Sequence, residues 1–229
     1  MWKFALAHMP YVLAGVPVAV EVWVLAMAAG FVFGLVLAAA RLYGDRLSYS
    51  LATFYIEVFR GTPMIVQLLI VYLGLPSVGL TFSPFVATVI TMGLNTAAYQ
   101  AEYFRGSIQS VSRGQLLAAR AHGMSGYKAF VHVVLPQALR RVIPQWSNEA
   151  ILEFKFTSIA YTIGLTEITA RASEVGSDTY KYFWAFLLTG IVYLVMTNFI
   201  AELLEWLQRV TAVPGVTFTG SKGRKGLTT

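Results

Sequence analysis

The sequence predicts an all-α integral membrane protein with five spanning helices. Three observations carry that prediction. Of the 229 residues, 57% are hydrophobic and only 12% are charged, against about 25% charge in an ordinary soluble domain. Five apolar segments approach or exceed the length needed to cross a bilayer, about 20 residues each. Lys and Arg gather in alternate connections, as they do in cytoplasmic loops. Five spans leave no room for a separate soluble catalytic domain, so residues 1–210 read as one membrane domain and 211–229 as a tail.

The first segment runs from Val12 to Ala40 and is interrupted only by Glu21. It carries Gly30 and Gly34 at the spacing by which small residues let helices approach closely. The stretch before it, MWKFALAHMPYVLAG, has one lysine and no small-residue cleavage site, and reads as retained. The second segment, Ser50 to Leu75, is broken at Arg-Gly-Thr-Pro. There Thr62 is expected to cap a new helix with Pro63 in its first turn. Broken helices are tolerated where the backbone is covered by protein or faces a cavity, which makes Met64 and Gln67 candidate cavity residues. The third segment runs from Phe82 to Arg105. The fourth, Arg141 to Gly164, is the most polar, with Asn148, Glu149, Glu153 and Lys155 inside it. The fifth, Tyr182 to Leu207, is clear through FWAFLLTGIVYLVMTNFI.

Charge orients the spans. Arg41 and Arg46 follow the first, Arg113, Arg120, Lys128, Arg140 and Arg141 separate the third from the fourth, and Arg209, Lys222, Arg224 and Lys225 follow the fifth. These three regions fall on one side, read as cytoplasmic, which puts the N-terminus outside and the C-terminus inside. On the opposite side PSVGLTFSP is uncharged, and in TEITARASEVGSDTYK acids outnumber bases. The Gly- and Lys-rich end, TGSKGRKGLTT, reads as a flexible cytoplasmic tail that can touch anionic lipid.

Several chemistries are excluded or unsupported. With no cysteine there are no disulfides and no thiolate metal sites. His8, His122 and His132 are too scattered for a metal site. No phosphate-binding Gly-Lys-Ser/Thr loop occurs, so any ATP hydrolysis must come from another chain. The formal charge of +6 is explained by cytoplasmic loops without invoking nucleic acid.

The long basic connection has an internal pattern. QLLAARAHG is helix-forming, with small Ala118 and Ala119 adjacent, and ends at Gly123, which can take the left-handed conformation that stops a helix. Ser125 can cap a second helix whose Phe130, Val133 and Val134 form a stripe before Pro136. The product is two short helices joined by a sharp bend, a shape suited to transmitting force to a soluble partner. Here the sequence resembles the permease subunits of bacterial and archaeal ABC importers, specifically the polar amino acid uptake family. That family's cytoplasmic signature, Glu-Ala-Ala, a glycine, then an aliphatic residue and Leu-Pro, reads here as Leu117, Ala118, Ala119, Gly123, Val133, Leu135 and Pro136. Leu117 stands where the signature has glutamate. YIEVFRGTPMIVQLLIVYLGLP and GLNTAAYQAEYFRGSIQSVSRGQ also look like the amino acid branch, and the resemblance covers roughly Ala14 to Leu207.

The resemblance implies a type I importer permease in a prokaryotic inner membrane. It implies a second permease subunit, identical or different, and two ATPase subunits docked on the loop at 113–136, here its coupling loop. An extracytoplasmic binding protein would deliver a polar or charged amino acid. The chain itself would bind no cofactor; the ATPase would use ATP and Mg. The family's Leu-Lys-Asp-Thr-Ser stretch, implicated in the substrate path, appears here with Lys155, Thr157 and Ser158 but with Phe156 in place of the acid. Lys155 and the two hydroxyls can hold a carboxylate, and the ammonium group then needs another acceptor, Glu153, Asn95 or Gln100. Alternatively Lys155 is neutralised by Glu149 or Glu153 for packing alone. Glu57 with Arg60, and Glu102 with Arg105, sit three apart on helix faces and can form structural ion pairs or take part in gating.

Two other classes remain open from the residues alone. An autonomous secondary transporter or channel is usually larger, with span-level inverted repeats, which the short Glu-x-Phe-Arg-Gly echo is not. A non-transporting membrane assembly subunit should lack costly interior groups such as Lys155.

Overall fold

A computed structural model describes residues 2–211, which form helices and turns with no strand among them; the tail expected at 211–229 lies outside the described residues but for Thr211. The helices are α1 (Trp2–Leu13), α2 (Val16–Tyr43), α3 (Arg46–Gly61), α4 (Met64–Leu69), α5 (Pro84–Gln109), α6 (Arg113–Ala121), α7 (Gly126–Ala129), α8 (Leu135–Phe156), α9 (Ile168–Thr179) and α10 (Tyr182–Thr211). By length and composition α2 and α10 can each cross a membrane, and α3 with α4 and the turns up to Val78 forms a third unit bent by 105°. The 26-residue α5 and 22-residue α8 are of span length as well, but they carry the interior polar groups. Composition alone therefore does not mark them as spans.

The centre is the parallel pair α2 and α5. Gly30 and Gly34 make their close approach possible: a Cβ on Gly30 would lie 2.3 Å from Thr96 Cγ2, and one on Gly34 3.0 Å from Gln100 Cβ. Small residues continue the seam at Ala26, Ala97 and Ala101, all buried. α8 packs along this pair, with Trp23 Nε1 of α2 donating to the Ala150 carbonyl at 2.8 Å. On its other side Ala150 and Phe154 join Ile168, Ala172 and Val175 of α9 and Ala185 and Val192 of α10 in the main apolar cluster.

Local signals explain most helix ends. Asp45 caps α3 by accepting from the Ser48 amide at 2.9 Å, and hydrogen bonding to Ser48 holds its carboxyl below the usual range. Ser83 caps α5, with Pro84 in the first turn. Elsewhere the structure departs from the sequence expectation. The apolar run read as beginning at Val12 is two helices, because the chain turns at Ala14 and Gly15 between α1 and α2. Hydropathy does not register such a turn, since α1 is as apolar as a span and buries Val12 against α9 and α10.

The fourth segment also begins earlier than Arg141. A π turn over residues 130–134 feeds α7 directly into α8, and Pro136 sits in the first turn, where its missing N–H is harmless. The polar connection TEITARASEVGSDTYK contains α9, capped by Glu167, whose side chain accepts from the Ala170 amide at 2.9 Å. Its helical face is legible only once α1 and α10 are present to cover Ile168, Ala172 and Val175.

Candidate functional site

Two regions carry the candidate residues: the α6–α7 pair and the polar interior between α3, α4, α5 and α8. The pair is built by its caps. Ser112 accepts from the Gly114 amide at 3.3 Å and Ser125 from the Lys128 amide at 3.3 Å. Between them Gly123 has φ of +83°, in the left-handed region that favours glycine. Its amide bonds Arg120 O at 3.0 Å, and the Met124 amide bonds Ala119 O at 3.2 Å, closing the end of α6. Val111, Val134 and Ala138 form a small buried cluster beneath, with Leu116 and Phe130 against it. Arg141 Nη1 clasps the Ser110 carbonyl at 2.5 Å, tying the end of α5 to α8. Ala119 is buried in this seat, Val133 and Leu135 are half-buried, and Leu117, Ala118, Gly123 and Pro136 are exposed.

At the break after α3 the geometry differs from expectation. Pro63, not Thr62, is the residue preceding α4, and its side chain makes no cap. Thr62 Oγ1 instead donates back to Val58 O at 2.8 Å. The open carbonyls are satisfied by Gln67, whose Nε2 reaches Phe59 O at 2.9 Å, Thr62 O at 3.1 Å and Thr62 Oγ1 at 2.7 Å. Asn95 Nδ2 completes the knot through Phe59 O at 3.1 Å and Gln67 Oε1 at 3.0 Å. Gln67, Asn95 and the neighbouring Met64 are all buried. Both amides are thus engaged with protein groups, covering the exposed end of a broken helix.

Deeper along α5, Thr96, Gln100 and Tyr103 recur at helical spacing on the face toward α8. Glu149 Oε1 accepts from Thr96 Oγ1 at 3.3 Å and its Oε2 from Tyr103 OH at 3.0 Å. Gln100 Oε1 accepts from Trp146 Nε1 at 3.0 Å, and its Nε2 reaches Thr96 Oγ1 at 3.2 Å. One turn further along α8, Glu153 is 1% exposed, and neither carboxyl oxygen has a hydrogen-bond partner among the described residues. Lys155 is exposed and pairs with neither Glu149 nor Glu153 within 4.0 Å; the ion pairs among the described residues all involve Glu102. Ser158 Oγ donates to the Lys155 carbonyl at 2.8 Å. Thr157 is buried, donates to Phe154 O at 2.8 Å and bonds Tyr193 OH at 3.2 Å, which in turn donates to Glu167 at 2.9 Å. Packing alone accounts for Thr157.

The two Glu-x-Phe-Arg-Gly echoes diverge in three dimensions. Glu102 takes Arg105 Nη2 at 2.6 Å and a second cation, Arg41 of α2. Glu57 is exposed with no ion pair among the described residues, and Arg60 stacks over the Tyr99 ring at 5.2 Å. Sequence reasoning singled out neither Arg41 as a partner nor Tyr103, Thr96 and Trp146. The signal available for the last three was the facing of a polar stripe on α5 by acids at i and i+4 on α8.

Residues 30–211 match the family described as the binding-protein-dependent transport system inner membrane component. The chain belongs to this family. Among curated relatives, the nopaline transport system permease protein of Agrobacterium fabrum is 39% identical over 210 residues, covering 86% of this chain and 87% of that one. The octopine transport system permease protein of Rhizobium meliloti is 41% identical over 219 residues, covering 90% and 87%. A chain from the crystal structure of an amino acid ABC transporter with histidines is 35% identical, with a TM-score of 0.84 over 90% of this chain and 96% of that one. The chain is accordingly an amino acid ABC importer permease of the polar uptake family. For such a permease the α6–α7 pair, at the Ala-Ala, Gly and Leu-Pro positions of the signature, is the candidate coupling element.

Proposed function

We propose that the chain forms half of the translocation pathway of an ATP-driven importer of a polar or charged amino acid. In this reading residues 1–210 are a single membrane domain that crosses five times, through α2, the broken α3–α4 unit, α5, α8 with the turns up to Gly164, and α10. The N-terminus lies outside; the α6–α7 pair and the C-terminus lie inside. A second permease subunit completes the pathway, and an extracytoplasmic binding protein supplies the amino acid. Two ATPase subunits, which bind ATP and Mg, seat on the coupling pair and drive alternating access.

The observation that carries this reading is the construction of α6 and α7. They form a rigid bend around Gly123, footed on α5 and α8 through Arg141 and a small apolar cluster. Force applied there passes directly into α8, which bears Glu149, Glu153 and Lys155. For the substrate, exposed Lys155 is the candidate for the carboxylate. Of the three acceptors open to the ammonium group, Asn95 donates to protein carbonyls and the Gln100 oxygen is taken by Trp146. Glu153 alone has both oxygens free among the described residues, which supports it as the acceptor once the pathway opens.

The test is ATPase activity of the complete complex in lipid, with and without binding protein and a panel of amino acids, comparing the native chain with Gly123→Asp. Native complex should be stimulated by binding protein with one class of amino acid, and Gly123→Asp should release the ATPase and abolish stimulation. An ATPase that never co-purifies, with a substitution that changes nothing, would leave an autonomous transporter as the better account.

A further inference from the structure

The α6–α7 pair exposes apolar side chains that its own seating does not use. Leu117 is 65% exposed and Tyr127 78%, with Met124 also exposed, whereas Val111, Ala119, Ala129 and Val134 are buried beneath. Large apolar groups left open together on a polar-rimmed element mark an interaction surface. The charge around them has one sign. No Asp or Glu occurs between Glu102 and Glu149, while Arg113, Arg120 and Lys128 are exposed on the pair. Retention of Lys and Arg on the cytoplasmic side explains the cations but sets no penalty on acids there. The absence of acids is therefore a property of this surface.

Resting on the permease reading above, we propose that the partner ATPase receives this pair in a groove with an apolar floor under Leu117 and Tyr127 and acidic side chains around its rim. The groove does not reach the pair through a basic residue directed at the Leu117 position. An arginine buried against leucine would be a desolvated charge without a counter-ion, which is strongly unfavourable. Apolar contact at the centre with complementary charge at the edge is the arrangement that gives both affinity and orientation. Leu117 is thereby a determinant of which ATPase the permease accepts.

The experiment uses the full complex, extracted from membranes that contain the chain with its ATPase subunit, and measures ATPase retained per permease as salt is raised. Leu117→Glu should lower retention roughly tenfold, whereas Leu117→Met should keep it. Native retention should weaken with salt as the acidic rim is screened. Retention by Leu117→Glu equal to or above native overturns the proposal, because it places a basic or polar group opposite residue 117. Salt-independent native retention overturns the acidic rim. A native chain that retains no ATPase at any salt overturns the permease reading and the proposal with it, so the two failures are distinct. Leu117 is exposed, and thermal unfolding of the purified variants verifies that the fold is unchanged.

Discussion

Where α2 meets α5, two backbones approach so closely that a methyl group on Gly30 would collide with Thr96. At α6 and α7, Leu117 and Tyr127 stand mostly uncovered. The first region spends its small residues and amides on internal satisfaction: Gln67, Asn95, Gln100 and Glu149 each find protein partners. The second is held by two serine caps, one glycine turn and one arginine clasp, and its largest side chains contribute nothing to its own folding. Stability and partner recognition thus reside in different residues. Glu153 is the exception, a buried group in the packed region that the packing does not satisfy.

This contrast can be broken most severely at Gly30. Gly30→Leu forces side-chain atoms into Thr96 and Gln100, and overpacking of this kind costs about 1–3 kcal/mol; thermal unfolding in detergent should show a large loss, with ATPase retention falling only as folded protein is lost. Glu153→Leu should act in the opposite direction. Removing a buried acid with no partner relieves a desolvation penalty of about 1–3 kcal/mol, so the unfolding temperature should rise while stimulation of ATPase by amino acid disappears. A fall in stability would mean that Glu153 is satisfied in the folded protein and is not held open for a ligand. The smallest effect is expected at Leu117→Ala in the permease alone, within about 0.5 kcal/mol of native, as for exposed positions generally. A larger loss would show that the α6–α7 pair depends on Leu117 for its own structure and would erase the distinction between the two regions.

Much of the architecture was legible because its signals are local. Gly123 and Ser125 announced a turn and a cap that need only neighbouring backbone, and Pro84 after Ser83 announced the start of α5. Gly30 and Gly34 announced a close helix contact, though not its partner. The turn at Ala14–Gly15 was hidden because apolar residues continue through it. The helix α9 was hidden because its polar composition resembles a loop until α1 and α10 cover its apolar face. At the broken span the sequence offered Thr62 as a cap, but the carbonyls released there are reached by Gln67, five residues away, and by Asn95 from another helix.

The sequence by itself determined the membrane character, the sidedness suggested by its Lys and Arg, and the family signature of the α6–α7 pair, since each depends on residue type and short spacing. Tertiary structure decided the partners of the interior charges. Glu102 gathers Arg105 from its own helix and Arg41 from α2, while the same motif at Glu57 forms no ion pair among the described residues and Arg60 turns to Tyr99. Identical local sequence leads to different partners because an interior charge is stabilised by whichever group the packing of other helices brings within reach, and that is information no single segment contains.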